Sequence, residues 1–392
     1  MTHWIFNEEH ELFRESVRKF VEKEMKPNID QWEKAGEIPR SLYRKAGELG
    51  YLGIRFPTEY GGSGLDAITE AVLVEELTRS GGAGAAASLP ATFSIAMSKI
   101  WLFGSEEQKQ KYLPQGISGE KIFALGVTEP HAGSDVANIR AKATKEGDYY
   151  ILNGSKTFIT NGVNADYVIV AAKTREEPLH QNISLFIVDT SEKGFSVGKK
   201  LKKLGIHSSD TAELYLEQVK VPKENLIGYE NAGFYYIMKD FQYERIQMAL
   251  TSVVLAEMAL EEAMKYSKER IQFGQPLANF QVLRHKMVDM AVDIEKARYI
   301  TYRTLYLYNQ GKDVVTHATM AKAYAAEMVR RVTDQALQIH GGNGYMMEFP
   351  VQRYWRDSRL QSIGGGTTEI MNEILSKQLN IVVERKNKLA TF

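Results

Sequence analysis

The stretch 126–162, GVTEPHAGSDVANIRAKATKEGDYYILNGSKTFITNG, decides how this chain is read. Pro130 cannot donate to a sheet ladder, so the first residues leave a strand there and enter a loop. His131-Ala132-Gly133-Ser134-Asp135 is small and turn-prone. Beyond it, 139–145, 149–152 and 156–160 alternate with the period of a strand, and Glu146-Gly147-Asp148 and Asn153-Gly154 punctuate them as turns. The stretch offers backbone N–H groups and the hydroxyls of Thr128, Ser134 and Thr160 beside one aromatic ring, Phe158. That mixture suits a flat heterocycle that is both stacked on and hydrogen-bonded. A plain hairpin surface is the alternative, and it needs neither the small residues nor the ring.

Working outward, the period of two continues through 166–172, 183–188 and 212–219, so 124–232 reads as a middle β domain, a small barrel or sandwich. Residues 1–123 read as an all-helical N-terminal domain. Leu12, Phe13, Val17, Phe20 and Val21 recur at helical spacing over 8–26 until Pro27 stops them. A second helix runs from Pro39 to Gly50, a third ends near Leu77, and Ser105 with Gln108 forms a capping box for one that reaches Tyr112. From 233 to 392 the pattern is a C-terminal four-helix bundle, with helices over 233–270, 278–310, 313–340 and 367–383. At ~1.5 Å per residue the first is about 55 Å long, which predicts that it projects and is covered by another subunit. The fold class is α+β and multi-domain.

The bulk numbers exclude more than they assign. With 392 residues the chain can build a large core. Lys and Arg total 49 and Asp and Glu 49, so a whole-molecule attraction to nucleic acid has no basis, and the tail Arg385-Lys-Asn-Lys388 is a short basic patch only. Without cysteine there is no disulfide, thiolate nucleophile or cysteine-zinc site. The N-terminus lacks the basic-then-apolar pattern of a secretory signal, and no run approaches the ~18 apolar residues of a membrane span, so no membrane insertion and a bacterial-type cytoplasmic location are expected.

Two stretches imitate phosphate-binding motifs. Gly82-Ala-Gly84-Ala-Ala-Ala87 resembles a dinucleotide fingerprint, but helix rather than strand precedes it, which favours a packing role. Residues 194–199 miss the P-loop spacing by one. Lys199, Lys200, Lys202 and Lys203 read as a solvated connecting segment, and His340 has no second histidine at metal-ligand spacing.

Thr128-Glu129-Pro130-x-Ala132-Gly133-Ser134-Asp135 followed by Asn153-Gly154-x-Lys156-x-Phe158-Ile159-Thr160-Asn161-Gly162 is similar to the acyl-CoA dehydrogenase family of FAD-dependent flavoproteins. The resemblance covers essentially the whole chain, since helices, strands and a four-helix bundle follow in the family's order. It implies removal of the two trans hydrogens on C2 and C3 of a medium- to long-chain, or branched, acyl-CoA. A carboxylate takes the C2 proton, and electrons go on to an electron-transfer flavoprotein. It also implies a homotetramer.

Many family members carry the base in a Tyr-Glu-Gly-Thr segment before the last helix. Here that segment reads Ile363-Gly364-Gly365-Gly366-Thr367-Thr368-Glu369, with Gly365 in the glutamate's place. The long-chain and isovaleryl branches carry the base in a Glu-Arg dipeptide on the first long C-terminal helix, and this chain has Phe241-Gln242-Tyr243-Glu244-Arg245. The resemblance therefore assigns the base to Glu244. It gives the main-chain N–H of Gly365 to the thioester oxygen, and Ser134, Tyr235, Gln242, Tyr243, Arg245 and Gly366 to the acyl-CoA path. To FAD it gives Leu125, Val127, Thr128, Gly133, Ser134, Phe158, Ile159 and Thr160, then Arg270 at the pyrophosphate with Phe273. Gln281, Gln338, Ile339, Gly341 and Gly342 would reach a neighbouring subunit's cofactor, and Thr367 and Glu369 the adenosine side. Phe158 stands where many relatives have Trp; Leu125 and His131 also depart from the commoner residues.

The nearest rival is an oxygen-using acyl-CoA oxidase or flavin monooxygenase on the same fold. A silent binding or DNA-protecting scaffold is a rival of another class; it should lack both glutamate positions and carry an added basic region.

Overall fold

The helices come first. In the computed structural model, which describes residues 3–382, they are α1 (Glu8–Phe20), α2 (Ile29–Ala35), α3 (Arg40–Glu48), α4 (Ala67–Thr78), α5 (Ala83–Pro90), α6 (Met97–Phe103) and α7 (Glu106–Ile117). Position 383 and the tail 385–388 lie outside the described residues. Pro27 does not stop the first helical segment as expected. One wide turn over Val21–Met25 and one tight turn over Lys26–Asn28 place it at the start of a new helical piece, where no intrahelical N–H is needed. The chain stays helical to Ala35, where Gly36, at φ +76°, ends it. The capping box of Ser105 and Gln108 is present, and its helix runs past Tyr112 to Ile117. One expectation fails: Ala83–Phe103 is 21 residues long and apolar enough to cross a bilayer, but it is mostly buried inside the protein, as a core helix is.

The strands that follow are β1 (Phe123–Gly126), β2 (Lys142–Glu146), β3 (Tyr149–Thr160), β4 (Tyr167–Lys173), β5 (Ile183–Asp189), β6 (Phe195–Lys200), β7 (Thr211–Pro222) and β8 (Leu226–Ile227). They form one sheet in the order β6-β7-β3-β2-β4-β5-β8, with β1 parallel to β4. Residues from β2, β3 and β7 meet residues from β1, β4 and β5 in one core, so the sheet folds over on itself. The two-residue period decides what β4 buries. Val168 and Val170 face that core, while Ile169 and Ala171 face the helical core. The period of two expected over 166–172 is therefore not one of buried and exposed residues: a strand covered on both faces is a continuous apolar run.

The last helices are α8 (Gly233–Glu269), α9 (Gln281–Asn309), α10 (Val315–His340), α11 (Val351–Ser358) and α12 (Thr368–Gln378). The helix α11 was not expected; with eight residues, three of its polar ones (Gln352, Asp357 and Ser358) buried and Trp355 exposed, it has little apolar period to read. It carries the buried Asp357, which accepts from the backbone N–H groups of Ile206 (2.5 Å) and Ala83 (3.2 Å). One carboxylate thus ties α11 to the start of α5 and to the segment before β7. Gly84 in α5 lies against the backbone of Ser208, only 2.8 Å from where a Cβ would sit, so the 82–87 run is a packing element. The lysine cluster is not uniformly solvated. Lys200 pairs with Glu37 at 2.7 Å, and Lys203 is turned inward to Ser209 and Thr211.

Candidate active site

The loop 125–134 and the strand end 156–160 are bound together from beneath. Lys156 is fully buried; its Nζ donates to Glu129 Oε1 at 2.7 Å and to the Val127 carbonyl at 3.1 Å. Glu129 also accepts from the backbone N–H groups of Arg140 (2.6 Å) and Ala141 (3.0 Å). Burial pulls the Lys156 ammonium down to about 8, and Glu129 opposes the shift. A further bond from Thr157 N–H to the Thr128 carbonyl, 2.9 Å, closes the seam.

The same seam sorts the residues above it. Irregular register between Lys156 and Ile159 and a φ of +60° at Phe158 turn that ring outward, leaving it 68% exposed. An exposed aromatic held in a strained backbone has no packing role in the chain itself. Gly133 has open space where a Cβ would sit, and Ser134 is exposed beside it. Val127 and Ile159 differ from expectation: both side chains are buried in the helical and sheet cores, so only their backbones remain for a ligand. Leu125 is half-buried against the helical core.

The second cluster gathers around the glycine turn before α12. Gly365 and Gly366 have φ of +61° and +98°, a conformation that a Cβ disfavours. The turn is fastened at both ends: Gly364 N–H bonds the Leu360 carbonyl at 2.9 Å, and Thr367 caps α12 through the Ile370 N–H at 3.2 Å. Across from it, Glu244 Oε1 lies 3.5 Å from the point where a Cβ on Gly365 would sit. Glu244 Oε2 is shielded from solvent and has no hydrogen-bond partner. Burial raises the Glu244 carboxyl, and Asp240 one helical turn away adds to this; Lys99, Arg245 and Lys322 oppose it. Lys99 is itself fully buried and paired with Asp240.

Arg245 is buried, with Nη1 at 3.5 Å from Thr319 Oγ1 and Nε without a partner. Burial lowers its pKa, with Glu244 opposing. Tyr235 is exposed near the start of α8, and Gln242 is half-buried. Tyr243 was expected on the acyl-CoA path, but protein surrounds it. Its hydroxyl donates to the Ala67 carbonyl at 3.3 Å, its ring stacks on Tyr308, and the Arg55 guanidinium lies against both rings, 4.2 Å from the centre of Tyr243 and 5.5 Å from that of Tyr308. These contacts leave little of its side chain for a ligand.

Arg270, Phe273 and Gln281 stand at the far end of the bundle, with Gln338, Gly341 and Gly342 exposed beside them. Tyr266 links the two groups by stacking on His340 and accepting from Asn343. Arg270, just past the end of α8, stands 26 positions along the chain from Glu244, roughly 39 Å at helical rise. A single chain therefore does not bring these residues to Glu244. Ile339 was expected among them, but its side chain is buried in the bundle core.

Sequence reasoning missed the Glu129–Lys156 pair and Lys322. Both Glu129 and Lys156 stand within the motifs that were read, and two charges beside apolar strand positions were the available signal. Lys322 gave none, because a lysine at helical spacing reads as solvated.

Compared with known proteins, the chain matches three family profiles in succession. They are acyl-CoA dehydrogenase, N-terminal domain, over residues 7–120; the middle domain over 124–219; and the C-terminal domain over 231–380. The mitochondrial long-chain specific acyl-CoA dehydrogenase of Sus scrofa is 43% identical over 378 residues, covering 96% of this chain and 87% of that one. A short-chain specific acyl-CoA dehydrogenase of Clostridium acetobutylicum is also 43% identical, over 371 residues, 95% of this chain and 98% of its own. The crystal structure of an acyl-CoA dehydrogenase from Geobacillus kaustophilus superposes with a TM-score of 0.93 at 42% identity, covering 97% of this chain and 100% of that one.

Proposed function

This chain belongs to the acyl-CoA dehydrogenase family, FAD-dependent oxidoreductases of acyl-CoA thioesters, and from that premise we propose that it converts medium- to long-chain saturated acyl-CoA, branched chains included, to trans-2-enoyl-CoA with Glu244 as the base. The observation that carries this reading is the Glu244 carboxylate reaching the space over Gly365.

The residues present fit a flavin dinucleotide. Phe158 offers an unpacked ring face, Gly133 leaves room for close approach, and Thr128, Ser134 and Thr160, none of them buried, supply hydroxyls. Bound FAD supplies the acceptor for the hydrogen that leaves C3. The chain's own part is the proton. Glu244 takes it from C2, and a carboxyl raised by burial is a stronger base than a free one. As the C2 proton leaves, negative charge gathers on the thioester oxygen, and the Gly365 N–H is the donor we assign to it. A backbone donor serves there without a side chain.

Electrons would leave to an electron-transfer flavoprotein, the partner implied by the family resemblance. A homotetramer is supported by α9, where Val292, Tyr299 and Tyr306 are exposed at intervals of seven residues, a stripe that a neighbouring helix can cover. It is supported too by the distance between Arg270 and Glu244, since residues at the far end of the bundle can serve a neighbour's cofactor. The test is anaerobic titration of the holoprotein with acyl-CoAs of graded length and branching. Flavin bleaching with a trans-2-enoyl product, strongest for medium and long chains, is expected. Bleaching by none of them would sink the reading, and hydrogen peroxide on admitting air would favour the oxidase alternative.

A further inference from the structure

Lys322 sits on α10 with almost no exposed surface, yet no carboxylate lies in salt-bridge reach of it among the described residues. Its Nζ donates instead to the carbonyl of Gly366. A buried ammonium spent on a peptide carbonyl is costly unless the carbonyl's position matters. That carbonyl belongs to the second of two left-handed glycines, where the backbone has the most freedom to lose. We propose that Lys322 is a positioning residue, whose bond to Gly366 fixes the glycine turn so that the Gly365 N–H stays aimed at the thioester oxygen. This rests on the reading of Gly365 given above.

The charges around it agree with such a role. On α8, Arg245 and Glu244 face it; on α12, Glu369; on its own helix, Glu327, which also accepts from Thr368 at 3.3 Å. Burial, then Arg245, lowers the ammonium to about 8, while the carboxylates oppose the shift. Lys322 is therefore protonated in the neutral range, and its hold on the carbonyl weakens from a charge-assisted bond to a neutral one as pH passes above about 8.

The experiment compares wild type, Lys322→Met and Lys322→Arg, each loaded with FAD. Two quantities are read: turnover, and the acidity of the C2 proton in a bound, non-oxidisable 3-thia-acyl-CoA, followed by the long-wavelength absorbance of its enolate. Lys322→Met should lower kcat at least tenfold with KM little changed and raise the analogue's bound pKa by about one unit. Lys322→Arg should recover most of both. Wild-type kcat should also fall above about pH 8, a limb missing from Lys322→Met. Unchanged analogue acidity in Lys322→Met, or recovery by neither kcat nor acidity in a folded Lys322→Arg, overturns the proposal. If neither variant folds, a wild-type rate that stays flat well above pH 8 overturns it. Failure of the underlying reading would look different: wild type itself would not bleach with any acyl-CoA.

Discussion

Glu244 Oε1 lies 3.5 Å from the place where a side chain on Gly365 would begin, so the two positions, 121 residues apart in sequence, share one volume. Only one of them can carry a large side chain. Met248 crowds the same volume, since its sulfur is 2.5 Å from that point.

Substituting Gly365→Ala is therefore doubly unfavourable. The φ of +61° penalises any Cβ, and the new methyl meets Met248. We expect a stability loss of about 1–3 kcal/mol in denaturant unfolding. Turnover should fall more than FAD affinity. An undiminished kcat would mean that the turn tolerates displacement and that its N–H has no special aim.

Burial places the Glu244 carboxyl above its ordinary value, which links the base to stability. A raised carboxyl contributes stability that is complete below its unfolded value, ~4.3, and is lost as pH rises through the folded one. Glu244→Gln does not ionise, so its thermal midpoint should exceed that of wild type near pH 8, with the gap closing near pH 4. The acidic limb of wild-type kcat should likewise lie above ~4.3. A variant no more stable than wild type at the higher pH would show that the carboxyl is not held out of water.

Removing Lys156 leaves Glu129 buried without its counter-charge. Lys156→Met should cost ~3–5 kcal/mol, and Lys156→Met with Glu129→Gln should recover part of it. Because the pair underlies the 127–134 loop, FAD affinity should fall with stability. Equal stability of wild type and the single variant, by calorimetry, would contradict the seam described here.

Asp357 holds two backbone N–H groups from separate elements, and Asp357→Ala should lose about 3 kcal/mol or more. Burial raises its carboxyl to about 6, with Glu33 adding to the shift. Its titration therefore favours folding below ~3.8 and withdraws that support as pH rises through about 6. The stability difference between wild type and Asp357→Ala should shrink across that window. A difference that grows with pH would refute the assignment.

Much of the order of elements could be read from the sequence, because the hydrophobic period changes from helical to two near 123 and back near 233. The long helices α8, α9 and α10 carry enough turns to average out single residues. What escaped was local. Pro27 fell at the start of a helical turn rather than inside one, and α11 is too short to show a period. In the site, Glu244 was legible only against Gly365, two positions whose spatial relation no spacing rule connects. The burial of the Tyr243 and Ile339 side chains was not legible either, because their immediate neighbours are site candidates and a helix turns adjacent residues about 100° apart. Lys322 was invisible, since burial of a lysine depends on what packs over it.

The most direct test of the relocated base is rapid anaerobic mixing of FAD-loaded Glu244→Gln with a saturated acyl-CoA. Flavin bleaching should slow by about 10²–10⁴-fold or more, while the flavin spectrum and acyl-CoA affinity stay near wild type. Bleaching at the wild-type rate would mean that another group removes the C2 proton.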